Sequence, residues 1–120
     1  MPLRIMIVDD SPAARFLLRE FIEANGHQVV AEEEQLEGAL RSYARHKPDA
    51  VTLDLSLAKG DGLSILKALR KLDGNAKVLV ISGNSQKKVR DSLYEAGVSG
   101  FLPKPIDFSS LMAAIVRVTL

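Results

Sequence analysis

Short runs of hydrophobic residues alternate along the whole chain with longer segments in which hydrophobic residues recur every three or four positions. The short runs are rich in valine, isoleucine and leucine, and they predict strands at residues 3–8, 27–31, 49–53, 77–81 and 100–102. The longer segments between and after them predict five helices. Near-continuous hydrophobic strands that alternate with helices are typical of a parallel sheet covered on both faces. The pattern therefore predicts an α/β fold, with a doubly wound five-stranded parallel sheet and five helices.

The first helix has clear start and stop signals. Ser11 is a suitable N-cap and Pro12 suits the first helical position, where its missing N–H leaves no hydrogen bond unmade. Asn25 and Gly26 are expected to end the helix. The side chains predicted to form its buried face are Phe16, Leu17, Phe21 and Ile22.

Composition narrows the class of protein. At 120 residues the chain fits one domain, predicted to cover residues 1–120. Sixteen basic and fifteen acidic residues provide no basic field for nucleic acid, so no direct nucleic-acid partner is expected. The absence of cysteine excludes disulfides and thiolate metal sites. No hydrophobic run could span a bilayer and no signal peptide is recognisable, which favours a cytoplasmic protein without membrane insertion. The run Glu32-Glu33-Glu34 is interpreted as a solvated strand exit.

Chemically versatile residues accumulate directly after the predicted strands. Asp9 and Asp10 follow the first strand, Asp54 the third, Ser82 the fourth and Lys104 the fifth. Ligands of open parallel sheets bind beyond the carboxyl ends of the strands, where the strand order reverses. The order 2-1-3-4-5 is adopted from known doubly wound folds rather than worked out from the residues. It would make strands one and three neighbours and bring the three carboxylates together.

Such a carboxylate cluster predicts a cation. Two unit charges 4 Å apart repel by roughly 4 kcal/mol at an effective dielectric of 20. Oxygen ligands without histidine or cysteine favour a hard ion, and Mg²⁺ suits carboxylates that share it with water and phosphate. A carboxylate oxygen could then act as a nucleophile towards phosphorus, while Lys104 and Ser82 stabilise the transferring oxygens.

These residues resemble the response-regulator receiver family of two-component signalling, and the similarity covers nearly the whole chain. The family pattern is an acidic pair after strand one, Asp after strand three, Ser or Thr after strand four and Lys-Pro after strand five. The corresponding segments here are Val8-Asp9-Asp10-Ser11, Leu53-Asp54-Leu55, Ile81-Ser82-Gly83 and Phe101-Leu102-Pro103-Lys104-Pro105. The resemblance implies the flavodoxin-like, CheY-like form of the doubly wound fold.

The resemblance also implies a role for each site residue. Asp54 would be the phosphoacceptor, with Lys104 and Ser82 contacting the phosphoryl group. Mg²⁺, with Mn²⁺ as a possible substitute, would be bound by Asp9, Asp10, Asp54 and the backbone carbonyl of Ser56.

Further roles follow from the same resemblance. Ser82 and Phe101 would form the switch, the Lys104–Pro105 peptide bond would be cis, and Ser56 and Asn84 would tune the lifetime of the acyl phosphate. Phe101 as an ordinary core residue is the main alternative to its switch role.

The resemblance implies a signalling module rather than an enzyme that turns over a small substrate; its only catalysis would be its own phosphorylation and dephosphorylation. Its partners would be a sensor histidine kinase or phosphotransfer protein and an effector that binds the helix 4–strand 5–helix 5 surface. Stand-alone chemotaxis or phosphorelay regulators are similar, and a receiver cut from a longer protein is equally compatible.

The alternatives are a degenerate receiver that acts only as an interaction module and a small phosphatase with an aspartate nucleophile. A haloacid-dehalogenase-like enzyme would need a second Asp at position 56, where Ser56 stands. A nucleotide or flavin binder would need a glycine-rich phosphate-binding loop after one of its strands, and none of the predicted strands is followed by one.

Overall fold

The computed structural model describes residues 2–55, 62–84 and 86–120. Within these ranges, five strands and five helices alternate along the chain. The strands are β1 (Arg4–Val8), β2 (Gln28–Glu33), β3 (Ala50–Asp54), β4 (Val78–Ser82) and β5 (Gly100–Pro103). The helices are α1 (Pro12–Ala24), α2 (Leu36–His46), α3 (Gly62–Leu72), α4 (Lys87–Glu95) and α5 (Phe108–Thr119). None of the helices in the described residues has the length and hydrophobicity needed to cross a bilayer.

The strands form one parallel sheet in the order β2-β1-β3-β4-β5, which confirms the predicted fold class and strand order. Strands β1 and β3 therefore lie side by side, although α1, β2 and α2 separate them in sequence. In this order β2 and β5 form the edges of the sheet, and β1, β3 and β4 lie between them.

Hydrophobic side chains pack on both faces of the sheet because consecutive strand residues point to opposite sides. On one face, Met6 and Val8 of β1 belong to the cluster that packs against α2, α3 and α4. On the other, Ile5 and Ile7 pack against α1 and α5. All four side chains are buried. This two-sided burial explains why the strands lack an alternation of hydrophobic and polar residues.

Helix α1 begins and ends as predicted, but its buried face was predicted only in part. The Ser11 side chain accepts a hydrogen bond from the backbone N–H of Ala14 at 3.2 Å, and Gly26 has a φ of +86°, which favours glycine. Ile22 is buried, whereas Phe16 and Leu17 are 60% and 55% exposed. The buried positions in this helix are Leu18 and Ile22, with Phe21 packed beside them. Because residues 16–18 are all hydrophobic, their sequence does not specify which of them faces the sheet.

The hydroxyl of Thr52 in β3 is buried, and it has no hydrogen-bond partner among the described residues. A buried hydroxyl without a partner costs about 1–3 kcal/mol by mutational data, and valine has nearly the same shape. We therefore expect Thr52→Val to raise the free energy of unfolding by about 1 kcal/mol, measured by urea denaturation of the metal-free protein. Thr52→Ser, which keeps the hydroxyl and removes the methyl group, should lower it. A destabilised valine variant would contradict the prediction.

Candidate functional site

The register of the central strands brings the predicted acidic residues together. Val8 of β1 lies opposite Leu53 of β3, so the next residues, Asp9 and Asp54, lie at the same level at the carboxyl ends of these strands. On the other side of β3, Asp54 lies opposite Ile81, which Ser82 follows. The carboxyl ends of β1, β3 and β4 thus present two carboxylates and a hydroxyl at one edge of the sheet.

Three carboxylates converge at this edge. One oxygen from each of Asp9, Asp10 and Asp54 lies within 4.8 Å of the others. Asp9 and Asp54 are buried, at 5% and 6% exposure, and Asp10 is half-buried. Carboxylates this close repel one another, and burial strengthens the repulsion because it removes screening water. The cluster therefore has the charge and the oxygen atoms to attract a cation.

Lys104 and Ser82 lie next to the acidic cluster. The Lys104 ammonium lies 3.1 Å from Oδ2 of Asp54, and the Lys104 backbone N–H donates to the carbonyl of Ser82 at 2.9 Å. The Lys104–Pro105 peptide bond is cis, as the resemblance implied. Ser82 is buried and its Oγ accepts a hydrogen bond from the Asn84 N–H at 3.0 Å. A cation, a hydroxyl and three carboxylates thus surround one small space.

The pKa of Asp9 is raised above its ordinary value of 3.8, chiefly because burial removes the carboxylate from water. The backbone N–H of Ser11, which donates to Oδ1 at 2.9 Å, opposes this shift. The nearby Asp54 raises the pKa further, and Lys104 lowers it. The ionised form of Asp9 is therefore disfavoured in the folded protein in the absence of a metal ion.

Replacing Asp9 with asparagine should consequently stabilise the metal-free protein at neutral pH. A carboxyl with a raised pKa in the folded state contributes stability below pH 3.8, its ordinary pKa, and loses that contribution as pH rises through the folded-state value. We expect Asp9→Asn to raise the free energy of unfolding by about 1 kcal/mol at pH 7.5 in EDTA, chiefly because a buried carboxylate no longer has to be ionised and secondly because its repulsion with Asp54 is lost. The difference should shrink towards pH 4, as measured by denaturation of both proteins. A gain independent of pH would contradict this cause.

The donor set fits Mg²⁺. The cluster consists of carboxylate oxygens, which hard divalent cations prefer, and Asp10 keeps one side partly open to the water molecules that Mg²⁺ retains. The predicted backbone ligand Ser56 lies outside the described residues. A divalent ion would also offset the repulsion between the closely spaced, buried carboxylates of Asp9 and Asp54.

Phe101 and Asn84 each make contacts of their own in the structure. Phe101 on β5 is half-buried against the α2–α3–α4 side of the core, and the guanidinium of Arg90 lies 5.3 Å from the centre of its ring. Asn84 is exposed, and its Oδ1 accepts a hydrogen bond from the N–H of Gln86. The roles predicted for these residues in switching and in acyl-phosphate lifetime remain predictions.

Sequence reasoning missed one residue that contacts the site. The guanidinium of Arg15 on α1 donates to the backbone carbonyl of Asp9 at 2.6 Å. Its partners Glu32 and Glu34 belong to the run that was interpreted as a solvated strand exit. A basic residue one helical turn after Ser11, combined with an acidic run at the end of the neighbouring strand, was the available signal.

Comparison with known proteins identifies the family. The family model of the response regulator receiver domain matches residues 5–116. The chain belongs to this family. The receiver is therefore a module of phosphorylation-dependent signalling in two-component systems.

The receiver is similar to chemotaxis proteins over nearly its whole length. It is 33% identical to CheY of Bacillus subtilis over 115 residues, which cover 96% of both chains. It is 32% identical to CheY of Thermotoga maritima over 119 residues, or 99% of both chains. It also matches the response regulator MprA of Mycobacterium at 35% identity, over 94% of this chain and 49% of MprA.

Solved structures share the fold. A response regulator of the LuxR family from Aurantimonas superposes with a TM-score of 0.93 at 34% identity, over 99% of this chain and 86% of that one. CheY in the CheX–CheY–BeF₃–Mg²⁺ complex of Borrelia burgdorferi gives a TM-score of 0.93 at 27% identity, over 100% of this chain and 91% of that one.

Proposed function

We propose that this receiver accepts a phosphoryl group on Asp54 from the phosphohistidine of a histidine kinase or phosphotransfer protein, in a reaction that requires Mg²⁺. The observation that carries the proposal is the position of Asp54, which is buried between two further carboxylates and 3.1 Å from the Lys104 ammonium. Related structures offer support: the Borrelia CheY complex contains BeF₃ and Mg²⁺, and a Burkholderia pseudomallei response regulator contains a phosphorylated aspartic acid with a calcium ion.

In the transfer step, a carboxylate oxygen of Asp54 forms a bond to phosphorus while the P–N bond of the donor phosphohistidine breaks. The bonding electron pair passes to the imidazole nitrogen, which takes up a proton. Lys104 stabilises negative charge on a transferring oxygen, and the Ser82 hydroxyl donates a hydrogen bond to another. Asp9 and Asp10 would hold the Mg²⁺, which supplies electrostatic stabilisation of the phosphoryl oxygens.

Dephosphorylation uses the same residues. Water attacks the phosphorus, the bond between phosphorus and Asp54 breaks, and the products are inorganic phosphate and the free carboxylate. Lys104 and Ser82 remain in contact with the phosphoryl oxygens during this step. The protein would thus catalyse only its own modification and its reversal, as one receiver domain covering residues 1–120. Its predicted cytoplasmic location is part of the same proposal.

The phosphoryl group would change the surface of α4, β5 and α5, where an effector protein would bind. Ser82 Oγ, which now accepts the Asn84 N–H, would turn towards the phosphoryl oxygen. Phe101 would turn from beneath the Arg90 guanidinium towards the interior of the protein. A conformational change of this kind needs a free-energy difference of only a few kcal/mol between the two states.

Mass spectrometry of the purified protein tests the proposed reaction. Incubation with phosphoramidate and Mg²⁺ is expected to add the mass of one phosphoryl group, and addition of EDTA is expected to prevent it. A protein that gains no mass in Mg²⁺ under conditions that phosphorylate a CheY protein would overturn the proposal. That result would favour the alternative, an interaction module that is not phosphorylated. Equal partner affinity with and without beryllofluoride would support this alternative.

The contact between Arg90 and Phe101 allows a test of the switch. An exposed cation over an aromatic ring stabilises that ring position by about 0.5–1 kcal/mol. Arg90→Ala removes this stabilisation, so the inward position of Phe101 that beryllofluoride favours should form more readily. The beryllofluoride concentration at half-saturation should therefore fall by about twofold to fivefold. Lys88→Ala removes a neighbouring exposed charge and serves as the control. An unchanged or weaker response in Arg90→Ala would contradict the proposed movement.

A further inference from the structure

The acidic run at the end of β2 holds a half-buried arginine, Arg15, against the site. The side chain of Arg15 is 16% exposed, with its Nε 3.4 Å from Oε1 of Glu32 and its Nη1 3.1 Å from Oε1 of Glu34. The same Nη1 donates to the carbonyl oxygen of Asp9 at 2.6 Å. Hydrogen bonds to charged groups are stronger than those between neutral groups. Arg15 therefore connects three elements, α1, the β2 end and the loop after β1.

Asp9 is held by each of its polar groups. Its N–H donates to the backbone carbonyl of Glu33 at 3.0 Å, its Oδ1 accepts the N–H of Ser11, and its carbonyl accepts from Arg15. Of these three contacts, only the last depends on a side chain other than that of Asp9. It is therefore the contact that a substitution can remove without altering the main chain.

The glutamates that pair with Arg15 extend from a strand end that is itself held in place. The Ser42 hydroxyl on α2 donates a hydrogen bond to the Glu33 carboxylate. The same carboxylate lies against Gly38 so closely that a Cβ atom there would collide with Oε1. These contacts fasten the end of β2 to α2, so Glu32 and Glu34 extend from a segment with a defined position.

We propose that Arg15 is a positioning residue that fixes the Asp9–Asp10 segment in the geometry that binds the divalent cation. The inference rests on the proposed function, because it concerns the metal site of that reaction. Two glutamates for one guanidinium leave the group with a net negative charge, so it does not repel a cation as a lone arginine would. Arg15 touches neither the metal nor the phosphoryl group in this proposal.

A purely electrostatic role and a positioning role of Arg15 predict opposite changes in cation affinity when its charge is removed. If only its positive charge mattered, neutralising it would tighten cation binding, because a like charge near the site would be lost. If positioning matters, neutralising it would weaken binding, because Asp9 and Asp10 would have to be ordered when the cation binds. The sign of the change in affinity therefore distinguishes the two effects.

The experiment measures the Mn²⁺ dissociation constant from the electron paramagnetic resonance signal of free Mn²⁺. We expect Arg15→Met to raise this constant about tenfold, because the Asp9–Asp10 segment would then have to be ordered when the cation binds. Arg19→Met is the matched control, because Arg19 lies one turn further on α1 and pairs with Glu32 and Glu23. That variant should bind Mn²⁺ within about twofold of the wild type.

Arg15→Lys gives a second test that keeps the charge. A lysine can reach only part of the fork geometry of arginine, so its dissociation constant should lie between those of wild type and Arg15→Met. Thermal unfolding in EDTA checks that all variants are folded. An Arg15→Met constant that is unchanged or lower, or a rise of the same size in Arg19→Met, would overturn the inference. If Arg15→Met does not fold, an Arg15→Lys constant equal to that of the wild type would overturn it.

The control for the proposed function is separate. Wild-type protein should bind Mn²⁺, and Asp54→Asn should bind it more weakly. If the wild type does not bind the ion, the proposed function fails and the positioning role with it. If the wild type binds Mn²⁺ and is phosphorylated while Arg15→Met equals it in both, only the role of Arg15 is overturned.

Discussion

Asp54→Asn is expected to abolish the gain of phosphoryl mass on incubation with phosphoramidate and Mg²⁺. A side-chain amide has neither the negative charge nor the nucleophilic oxygen that forms the acyl phosphate. The substitution also removes one of the three carboxylates within 4.8 Å of one another, so cation affinity should fall together with reactivity. Intact-protein mass spectrometry measures the first effect, and Mn²⁺ binding measures the second.

Asp49→Asn is the matched control for this experiment. Asp49 precedes β3 at the opposite end from Asp54, is exposed, and accepts a hydrogen bond from the N–H of Arg4. The control should gain phosphoryl mass as the wild type does. Phosphorylation that persists in Asp54→Asn would contradict the assignment of the acceptor, and peptide mapping would then identify the residue that carries the phosphate.

The location of the site could be predicted because it follows from topology. Parallel strands gather their carboxyl ends at one edge, so residues that directly follow β1, β3, β4 and β5 must lie close together once the strand order is known. Asp9 and Lys104 directly follow β1 and β5, and Asp54 is the last residue of β3. The order itself came from resemblance to known doubly wound folds, since the hydrophobic pattern of a strand does not identify its neighbours.

Two features could not be predicted because they depend on contacts between elements. Strand β2 continues to Glu33, beyond the predicted end at Ala31, because Glu32 and Glu33 pair with the last residues of β1. A polar residue is tolerated there because β2 is an edge strand with part of its surface open to solvent. The contact of Arg15 with Asp9 likewise joins residues six apart through a loop, which no helical or strand period describes.

Lys104→Met is expected to separate phosphoryl transfer from metal binding. Loss of a cation that stabilises the transferring oxygens should slow phosphorylation by about 10²- to 10³-fold, as measured by mass gain over time. Removal of the ammonium 3.1 Å from Asp54 also removes a charge that competes with the metal ion. Mg²⁺ affinity should therefore rise, by about fivefold at moderate salt. These two effects have opposite signs, which loss of folding could not produce.

The stability of this variant provides a third measurement. Without Lys104, the buried carboxylate of Asp54 loses its nearby cation, so we expect a decrease of about 1–2 kcal/mol in the free energy of unfolding in EDTA, a moderate value because the lysine is partly exposed. Saturating Mg²⁺ should restore most of it, since the ion replaces the missing charge. Lys87→Met, which removes an exposed lysine paired with Asp91 on α4, should leave all three quantities unchanged. Wild-type phosphorylation rates in Lys104→Met, or weaker Mg²⁺ binding, would show that the ammonium does not act on the carboxylate cluster.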